Sequence, residues 1–169
     1  MLKKVKRKKL SREDLFEIYL NNILKFIGYR SRSEKEIIDR LRKKKIDEKM
    51  ISEIMAKLQE WKFIDDIAFA KQWIESRVVN RHKSIRLVRL ELLKKGIKKE
   101  IIDSLFENFS KESDVASIEA IIRKKIKRLN IQDRNDLQKL SRYLLGKGFD
   151  WERIKEEVNK LRKDSIIDQ

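Results

Sequence analysis

The sequence repeats one pattern of apolar residues three times, at intervals of 51 and 52 residues. The clearest copy reads LLKKGIKKEIIDSLF and runs from Leu92 to Phe106, with related copies over 41–55 and 144–158. Five aligned positions are apolar in all three copies: Ile37, Val88 and Leu140; Leu41, Leu92 and Leu144; Ile46, Ile97 and Phe149; Ile51, Ile102 and Ile154; and Met55, Phe106 and Val158. The first two positions lie four residues apart, which is the spacing of one helical stripe. Each copy therefore predicts two helices joined by a tight turn.

The turn inside each copy is marked by the residue that ends its first helix. Gly96 and Gly148 stand where a helix ends in the left-handed conformation, which glycine adopts at low cost. Lys45 takes this position in the first copy. We expect the first turn to bear a modest strain or to use a different geometry.

Capping residues mark the expected helix starts. Ser11 and Ser33 are each followed three residues later by an acid, which is the capping-box arrangement. The other expected caps are acids: Asp47, Asp65 or Asp66, and Asp150. The middle copy has Lys98 at the corresponding place, which predicts a weaker cap.

A third helix precedes each pair, over about 12–28, 66–79 and 114–129, where apolar residues recur at helical spacing. The first of these has the expected stripe Leu15, Ile18, Tyr19, Asn22 and Phe26. The prediction is an all-α fold of three tandem three-helix repeats, over 11–63, 64–111 and 112–164, after a basic N-terminal tail at 1–10. Because units of ~50 residues bury little surface alone, we expect the repeats to stack into an elongated, curved array.

Composition narrows the classes of function. The chain has no cysteine, which excludes disulfides, thiolate chemistry and cysteine-based zinc sites and fits a reducing compartment. No stretch approaches the roughly 18 apolar residues of a membrane span, and the basic N-terminus is not followed by the apolar segment of a signal peptide. We expect a soluble, cytoplasmic protein without a membrane partner.

Catalytic groups are scarce. His82 is the single histidine, in the loop segment NRHKS, where a solvated or capping role is expected. The GKG at 146–148 lacks the spacing and the Ser or Thr of a phosphate-binding loop. Acids that are adjacent in sequence point about 100° apart on a helix and do not form a metal site. The sequence predicts a protein that is not an enzyme, with no cofactor and no metal.

Positive charge is the strongest functional signal. The formal net charge of +16 exceeds the roughly 2 to 8 that solubility needs, so a polyanion or an acidic protein surface is the expected partner. Bases are concentrated in segments 77–89 and 123–134, and His82, Arg86 and Arg89 have the spacing to share one helix face. The predicted contact residues are Arg77, Arg81, Lys83, Arg86, Arg89, Lys94 and Lys95.

Aromatic residues offer a second, weaker signal for binding. The three tryptophans, Trp61, Trp73 and Trp151, lie on or beside the apolar stripes. We expect them to pack in the core rather than to stack on nucleic-acid bases. This expectation is weakest for Trp151, because the equivalent residues of the other copies, Glu48 and Lys99, are charged.

Four segments within about residues 20 to 160 read SRSEKEIIDRLRKKKID, WKFIDDIAFAKQWIESR, IRLVRLELLKKGI and LSRYLLGKGFDWERI. Together they resemble the RecX family. The resemblance implies a regulator that binds the RecA recombinase and its filament on single-stranded DNA. It also implies modulation, mostly inhibition, of ATPase, strand-exchange and coprotease activities in DNA repair and recombination. Single- or double-stranded DNA is a further implied partner, and we expect a monomer.

A stand-alone DNA-binding protein of helix-turn-helix type is the alternative. Such proteins place base-reading side chains near the start of a recognition helix. The second helices begin DEKMISE, KKEIIDS and DWERIKE, and their acids suit a DNA groove poorly.

Overall fold

The computed structural model describes residues 10–107, 109, 111–130 and 133–167. These residues form nine α-helices and no strand. The helices are α1 Arg12–Tyr29, α2 Glu34–Lys43, α3 Glu48–Glu60, α4 Asp66–Ile74, α5 Ile85–Lys94, α6 Lys99–Leu105, α7 Lys111–Lys125, α8 Arg134–Gly146 and α9 Trp151–Ile167. The all-α, three-by-three-helix prediction is therefore confirmed. The predicted basic tail lies, up to residue 9, outside the described residues.

The chain divides into two compact units, one ending at Phe69 and the other beginning at Ala70. The core of the first unit is formed by α1, α2 and α3, with Ile23, Ile37 and Ile54 almost without exposed surface. In the second unit a core cluster joins α7, α8 and α9 around Ile118 and Leu144.

The repeated apolar positions form these cores. All fifteen residues at the five aligned positions are buried, none with more than 9% of its surface exposed. The three leucines that begin the aligned copies, Leu41, Leu92 and Leu144, are 1%, 0% and 0% exposed. Equivalent positions of the sequence repeat are therefore core residues in all three copies.

The turn that ends the first helix of each pair has the same handedness in all three copies. Gly96 and Gly148 have φ angles of 83° and 89°, and Lys45 has a φ of 57°. Lysine thus adopts the left-handed conformation in the first copy, where an L-residue with a Cβ bears strain. Of the two alternatives left open for this turn, the strained one is found.

Most of the expected caps are present. Ser11 and Ser33 form complete capping boxes with Asp14 and Glu36. The Asp47 carboxylate accepts a hydrogen bond from Met50 N at 3.0 Å.

At the remaining helix starts, the expected acids act as caps and the lysine does not. Asp65 accepts from the amides of Ile67 and Ala68 at 2.9 and 2.8 Å, and Asp150 accepts from Glu152 N at 3.0 Å. Lys98 makes no side-chain cap, as its weaker cap predicted.

A buried serine and an acid recur at the start of the second helix in two repeats. Ser33 and Ser84 are buried N-caps of α2 and α5. The next backbone amide donates to the first-helix acid of the following repeat: Glu34 N to Asp66 Oδ1 at 2.9 Å, and Ile85 N to Asp114 Oδ1 at 3.0 Å. Each of these hydrogen bonds links two consecutive repeats and provides an acceptor for a backbone amide in the first turn of a helix.

Three local features differ from the expectation. In α1, Leu15, Tyr19 and Phe26 of the expected stripe pack against the core, but Ile18 and Asn22 are exposed and Leu20 and Ile23 are the buried residues. This helix is apolar on more than one face, so periodicity alone does not fix its orientation.

The second difference concerns tryptophan packing. Trp61 and Trp151 are 42% and 50% exposed, and Trp73 is partly buried in a polar cluster described below. An indole ring is large and carries a polar N–H, so a place beside an apolar stripe does not guarantee full burial.

The third difference is the regularity of the first helix in the later repeats. The segment after α4, Glu75–Val79, is a π-helix, and the one after α7, Ile126–Arg128, is a 3₁₀-helix. The predicted ranges cover both segments, but not as regular α-helix.

Candidate partner-binding surfaces

The seven predicted contact residues all lie in the unit that begins at Ala70, but the fold distributes them over separate places. Arg77, Lys83 and Lys95 surround Glu91 and Trp73. Arg86 and Arg89 lie beside a mixed-charge hollow, Arg81 lies at a basic cleft, and Lys94 is exposed on the last turn of α5.

Glu91 on α5 organises the first group. Lys83 Nζ donates to Glu91 Oε1 at 2.6 Å, and Trp73 Nε1 donates to Oε2 at 2.9 Å. Arg77 Nε lies 3.3 Å from Oε2 as an ion pair, and no described residue accepts a hydrogen bond from this buried nitrogen. The indole ring is covered by Arg77, 4.3 Å from the ring centroid, and by Lys95, at 5.0 Å. These cations therefore contribute to the packing of the second repeat.

Two opposing effects set the pKa of Glu91. Burial penalises the carboxylate and would raise its pKa, but the hydrogen bonds from Lys83 and Trp73, together with the charges of Lys83 and Arg77, lower the pKa below its ordinary value. Glu91 is therefore a carboxylate at neutral pH and neutralises part of the positive charge around it.

We expect Glu91→Gln to lower stability in a pH-dependent way. Since the folded pKa lies below the ordinary value of 4.5, the stabilising contribution of the carboxylate is complete above about pH 4.5. It is lost as the pH falls through the folded pKa. The side chains involved are only about a fifth exposed, so the expected loss at pH 7 is about 1–2 kcal/mol. Urea unfolding at pH 7 and below pH 4.5 measures it.

The control for this substitution is Glu60→Gln, which removes an exposed ion pair with Lys57. We expect almost no change, because exposed pairs contribute little. A Glu91→Gln deficit of equal size at both pH values would contradict the assignment to the carboxylate charge.

Arg86 and Arg89 line a hollow of about 490 Å³ that also contains acids. Arg89 forms an ion pair with Asp103 and lies 5.4 Å from the Phe106 ring centroid. Asp114, Asp150 and Arg153 complete the charged part of the lining, and Arg153 Nη1 is 3.8 Å from Asp114 Oδ2. The hollow is therefore close to balanced in charge. In the described part of the chain, Arg86 makes no hydrogen bond or ion pair and is exposed.

Arg81 belongs to a cleft of about 600 Å³ between the end of the π-helix, α7 and α8. Six cations line it: Arg81, Lys124, Lys125, Lys127, Arg128 and Lys147. No Asp or Glu is among the described lining residues. Tyr143 lies between two of the cations, with Lys125 Nζ at 4.0 Å and Lys147 Nζ at 5.2 Å from its ring centroid. Its described lining is therefore uniformly positive, in contrast to that of the hollow beside Arg86 and Arg89.

One of these six cations, Arg81, belongs to the predicted contact residues. The run RKKIKR at 123–128 is visibly basic in the sequence, but only the fold shows that its residues lie beside Arg81. Lys147 Nζ donates to Arg81 O at 2.7 Å across 66 residues, and that contact brings α8 to the loop before α5.

The expectation of one shared face for His82, Arg86 and Arg89 is wrong. Helix α5 begins only at Ile85, and His82 precedes it with a φ of 47°. His82 lines the basic cleft, whereas both arginines line the hollow. The segment GKG at 146–148 is a helix end, as its place in the repeat predicted.

Other kinds of site find no support in the described part of the chain. No group of three or more His, Asp or Glu side chains there could hold a metal ion. None of the described helices combines the length and apolar character that crossing a membrane requires.

The fold and these surfaces define a helical repeat protein with basic surfaces. Family models name the family: "RecX, first three-helix domain" matches residues 20–58, the second three-helix domain 65–104, and the third 112–157. The chain belongs to the RecX family.

Relatives and solved structures agree. The regulatory protein RecX of Clostridium tetani is 32% identical over 157 residues, covering 91% of this chain and 72% of the relative. That of Oceanobacillus iheyensis is 34% identical over 126 residues, covering 74% and 46%. The crystal structure of RecX from Lactobacillus salivarius aligns with a TM-score of 0.63 at 27% identity, over 89% of this chain and 98% of that one. The chain spans about half the length of several curated relatives, such as 52% of the one from Listeria welshimeri.

Proposed function

We propose that this chain is a regulatory protein that binds the RecA recombinase and its filament on single-stranded DNA. Its effect is to modulate, mostly to inhibit, the ATPase, strand-exchange and coprotease activities of RecA during DNA repair and recombination. The observation that carries this proposal is membership of the RecX family through all three of its three-helix domains.

The distribution of chemistry in the molecule supports action by binding. The single histidine, His82, lines a basic cleft whose described lining residues include no Asp or Glu. The proposal includes no catalysis and no cofactor. It also includes the repeat limits 11–63, 64–111 and 112–164, a cytoplasmic location, and a monomer as the active form.

The seven predicted cations remain the proposed contact residues, with different roles. Arg81, Arg86 and Lys94 are exposed and have their charges available to a partner. Arg77, Lys83 and Lys95 are held around Glu91 and Trp73, and Arg89 is paired with Asp103. These four would shape the surface on which the exposed cations act.

The helix-turn-helix alternative gains no support from the second helices of the repeats. Acids stand at or next to the start of each one, with Glu48 in α3, Glu100 in α6 and Glu152 in α9. A carboxylate at the end of a helix that enters a groove would be repelled by the phosphates on both sides.

Retention of purified RecA on the immobilised chain tests the proposed partner. We expect RecA to be retained both with single-stranded DNA present and after nuclease treatment, because the proposed contact is between proteins. Retention only while DNA is intact would mean that the two proteins merely share a strand. The absence of retention in both arms would overturn the proposal.

A further inference from the structure

The cleft lined by Arg81, Lys147 and the basic run at the end of α7 concentrates positive charge that a bound anion would neutralise. Six cations face one concave space of about 600 Å³ without a carboxylate among its described lining residues. Like charges that converge in this way repel one another unless a counter-charge is bound. Elsewhere in the same unit, Glu91, Asp103 and Asp114 lie beside the clustered cations.

Two of the cations are held in place by internal contacts. Lys147 Nζ donates to Arg81 O at 2.7 Å, and Lys147 O accepts from Ser84 N at 3.0 Å. Lys125 Nζ is positioned over the Tyr143 ring at 4.0 Å. These contacts hold Lys125 and Lys147 in place, so that a bound anion need not order those two side chains itself. Lys124, Lys127 and Arg128, which also line the cleft, are exposed.

The polar groups of the cleft identify the kind of anion. The six lysine and arginine side chains only donate hydrogen bonds, and Arg81 O is already used by Lys147. The side chains of Asn80, His82 and Tyr143 are the few lining groups that can also accept. A phosphodiester backbone offers acceptor oxygens and no donor, so it matches this lining. An acidic peptide would bring a backbone N–H with every residue, and these donors would find few acceptors here.

The apolar part of the cleft favours a single strand over a duplex. Leu129 and the exposed ring of Tyr143 lie among the cations. In a single strand the bases are free to turn toward such a surface, whereas in a duplex they are paired and stacked inside. The volume of about 600 Å³ is in the range of pockets that hold one small ligand, which corresponds to a short stretch of one strand.

We propose that this cleft binds the phosphodiester backbone of single-stranded nucleic acid, independently of any protein partner. Lys124, Lys127 and Arg128 contact phosphates, and Tyr143 is a positioning residue that gathers Lys125 and Lys147. The site is distinct from the Glu91 cluster and from the hollow beside Arg86. Because this binding needs only the chain itself, it can be tested separately from the proposed regulation of RecA.

The test compares two triple variants that remove the same charge. Lys124→Gln, Lys127→Gln and Arg128→Gln alter the cleft, whereas Lys43→Gln, Lys44→Gln and Lys49→Gln alter exposed lysines of the first unit. Binding to a fluorescent oligothymidylate of about 20 nucleotides is measured by anisotropy over a series of salt concentrations. Circular dichroism and thermal unfolding establish that both variants are folded.

We expect the cleft variant to lose affinity by about tenfold or more at low salt. The slope of log K against log salt should fall by about 2, since each phosphate contact on a single strand contributes about 0.7. The control variant should change affinity by less than about threefold. Equal losses in the two variants would mean that net charge alone drives binding, and an unchanged cleft variant would remove the site. Either result overturns the proposal.

Two competitors test the ligand. A duplex of the same length should displace the oligonucleotide less well than an unlabelled single strand. Polyglutamate of equal charge should require a concentration about tenfold higher or more. Displacement by the duplex at the same concentration would overturn the assignment to a single strand, and equal displacement by polyglutamate would overturn the assignment to phosphate.

Discussion

Gly148→Ala is expected to destabilise the protein by about 3 kcal/mol or more. Gly148 has a φ of 89°, where a side chain costs about 1–2 kcal/mol. A Cβ there would lie 2.6 Å from Leu87 Cβ and 2.7 Å from Ser84 Oγ. Relieving such contacts typically costs a further 1–3 kcal/mol. Since Ser84 Oγ also donates to Gly148 O at 2.7 Å, any shift strains that bond. Urea unfolding followed by circular dichroism measures the loss.

Gly146→Ala, two residues earlier, is the matched control. Gly146 is the last residue of α8, and an added Cβ would meet no atom within 4 Å. Alanine in a helix is favoured over glycine by about 0.5–1 kcal/mol, so this variant should be slightly more stable than the wild type. If both substitutions changed the unfolding midpoint by the same small amount, the close packing of the α8–α9 turn against Ser84 and Leu87 would be contradicted.

Ser84→Ala is expected to have the second largest effect, about 2–3 kcal/mol. Ser84 is 1% exposed, and its hydroxyl accepts from Leu87 N at 3.2 Å while it donates to Gly148 O. Loss of an N-cap costs about 1 kcal/mol, and the partly buried Gly148 carbonyl left without its donor adds about 1–2 kcal/mol. The free energy of unfolding from urea titration is again the measurement.

Ser52→Ala supplies the comparison for this prediction. The Ser52 hydroxyl donates to Glu48 O within α3 and is exposed, so its removal should change stability by less than about 0.5 kcal/mol. A Ser84→Ala variant as stable as Ser52→Ala would show that the serine does not link α5 to the α8–α9 turn. The same link holds Lys147 at the basic cleft, so a loosened turn should also weaken binding there.

The helical scaffold could be predicted because it is repeated. Aligning Leu41, Leu92 and Leu144 identified buried positions that no single copy would have established, and the same alignment identified Gly96 and Gly148 as helix ends. The turn at Lys45 illustrates the limit. The repeat locates the turn, but only the backbone reveals that a lysine accepts the left-handed conformation there.

The candidate binding surfaces could be predicted only in part, because they depend on contacts between distant segments. Charge composition indicated a basic surface in the second repeat, and Arg81 and Arg86 are exposed there. The sequence does not show which cations are paired within the fold. Glu91 forms ion pairs with Lys83 and Arg77, so these two charges are less available to a partner than those of Arg81 and Arg86.

The serine and acid that link consecutive repeats could have been found from the same alignment. Ser33 and Ser84 are 51 residues apart, the same interval as the apolar positions of the first two copies. A search confined to apolar residues does not detect them. Their acid partners, Asp66 and Asp114, lie in the following repeat, so the hydrogen bonds become evident only when the repeats are packed.

The proposed regulation of RecA is measured by the rate at which RecA hydrolyses ATP on DNA. We predict that sub-stoichiometric amounts of the chain slow hydrolysis on single-stranded DNA. The cleft variant should still do so when RecA is already assembled on the DNA, because its three substituted residues, Lys124, Lys127 and Arg128, are not among the proposed RecA contact residues. A rate unchanged at one chain per RecA would contradict the account.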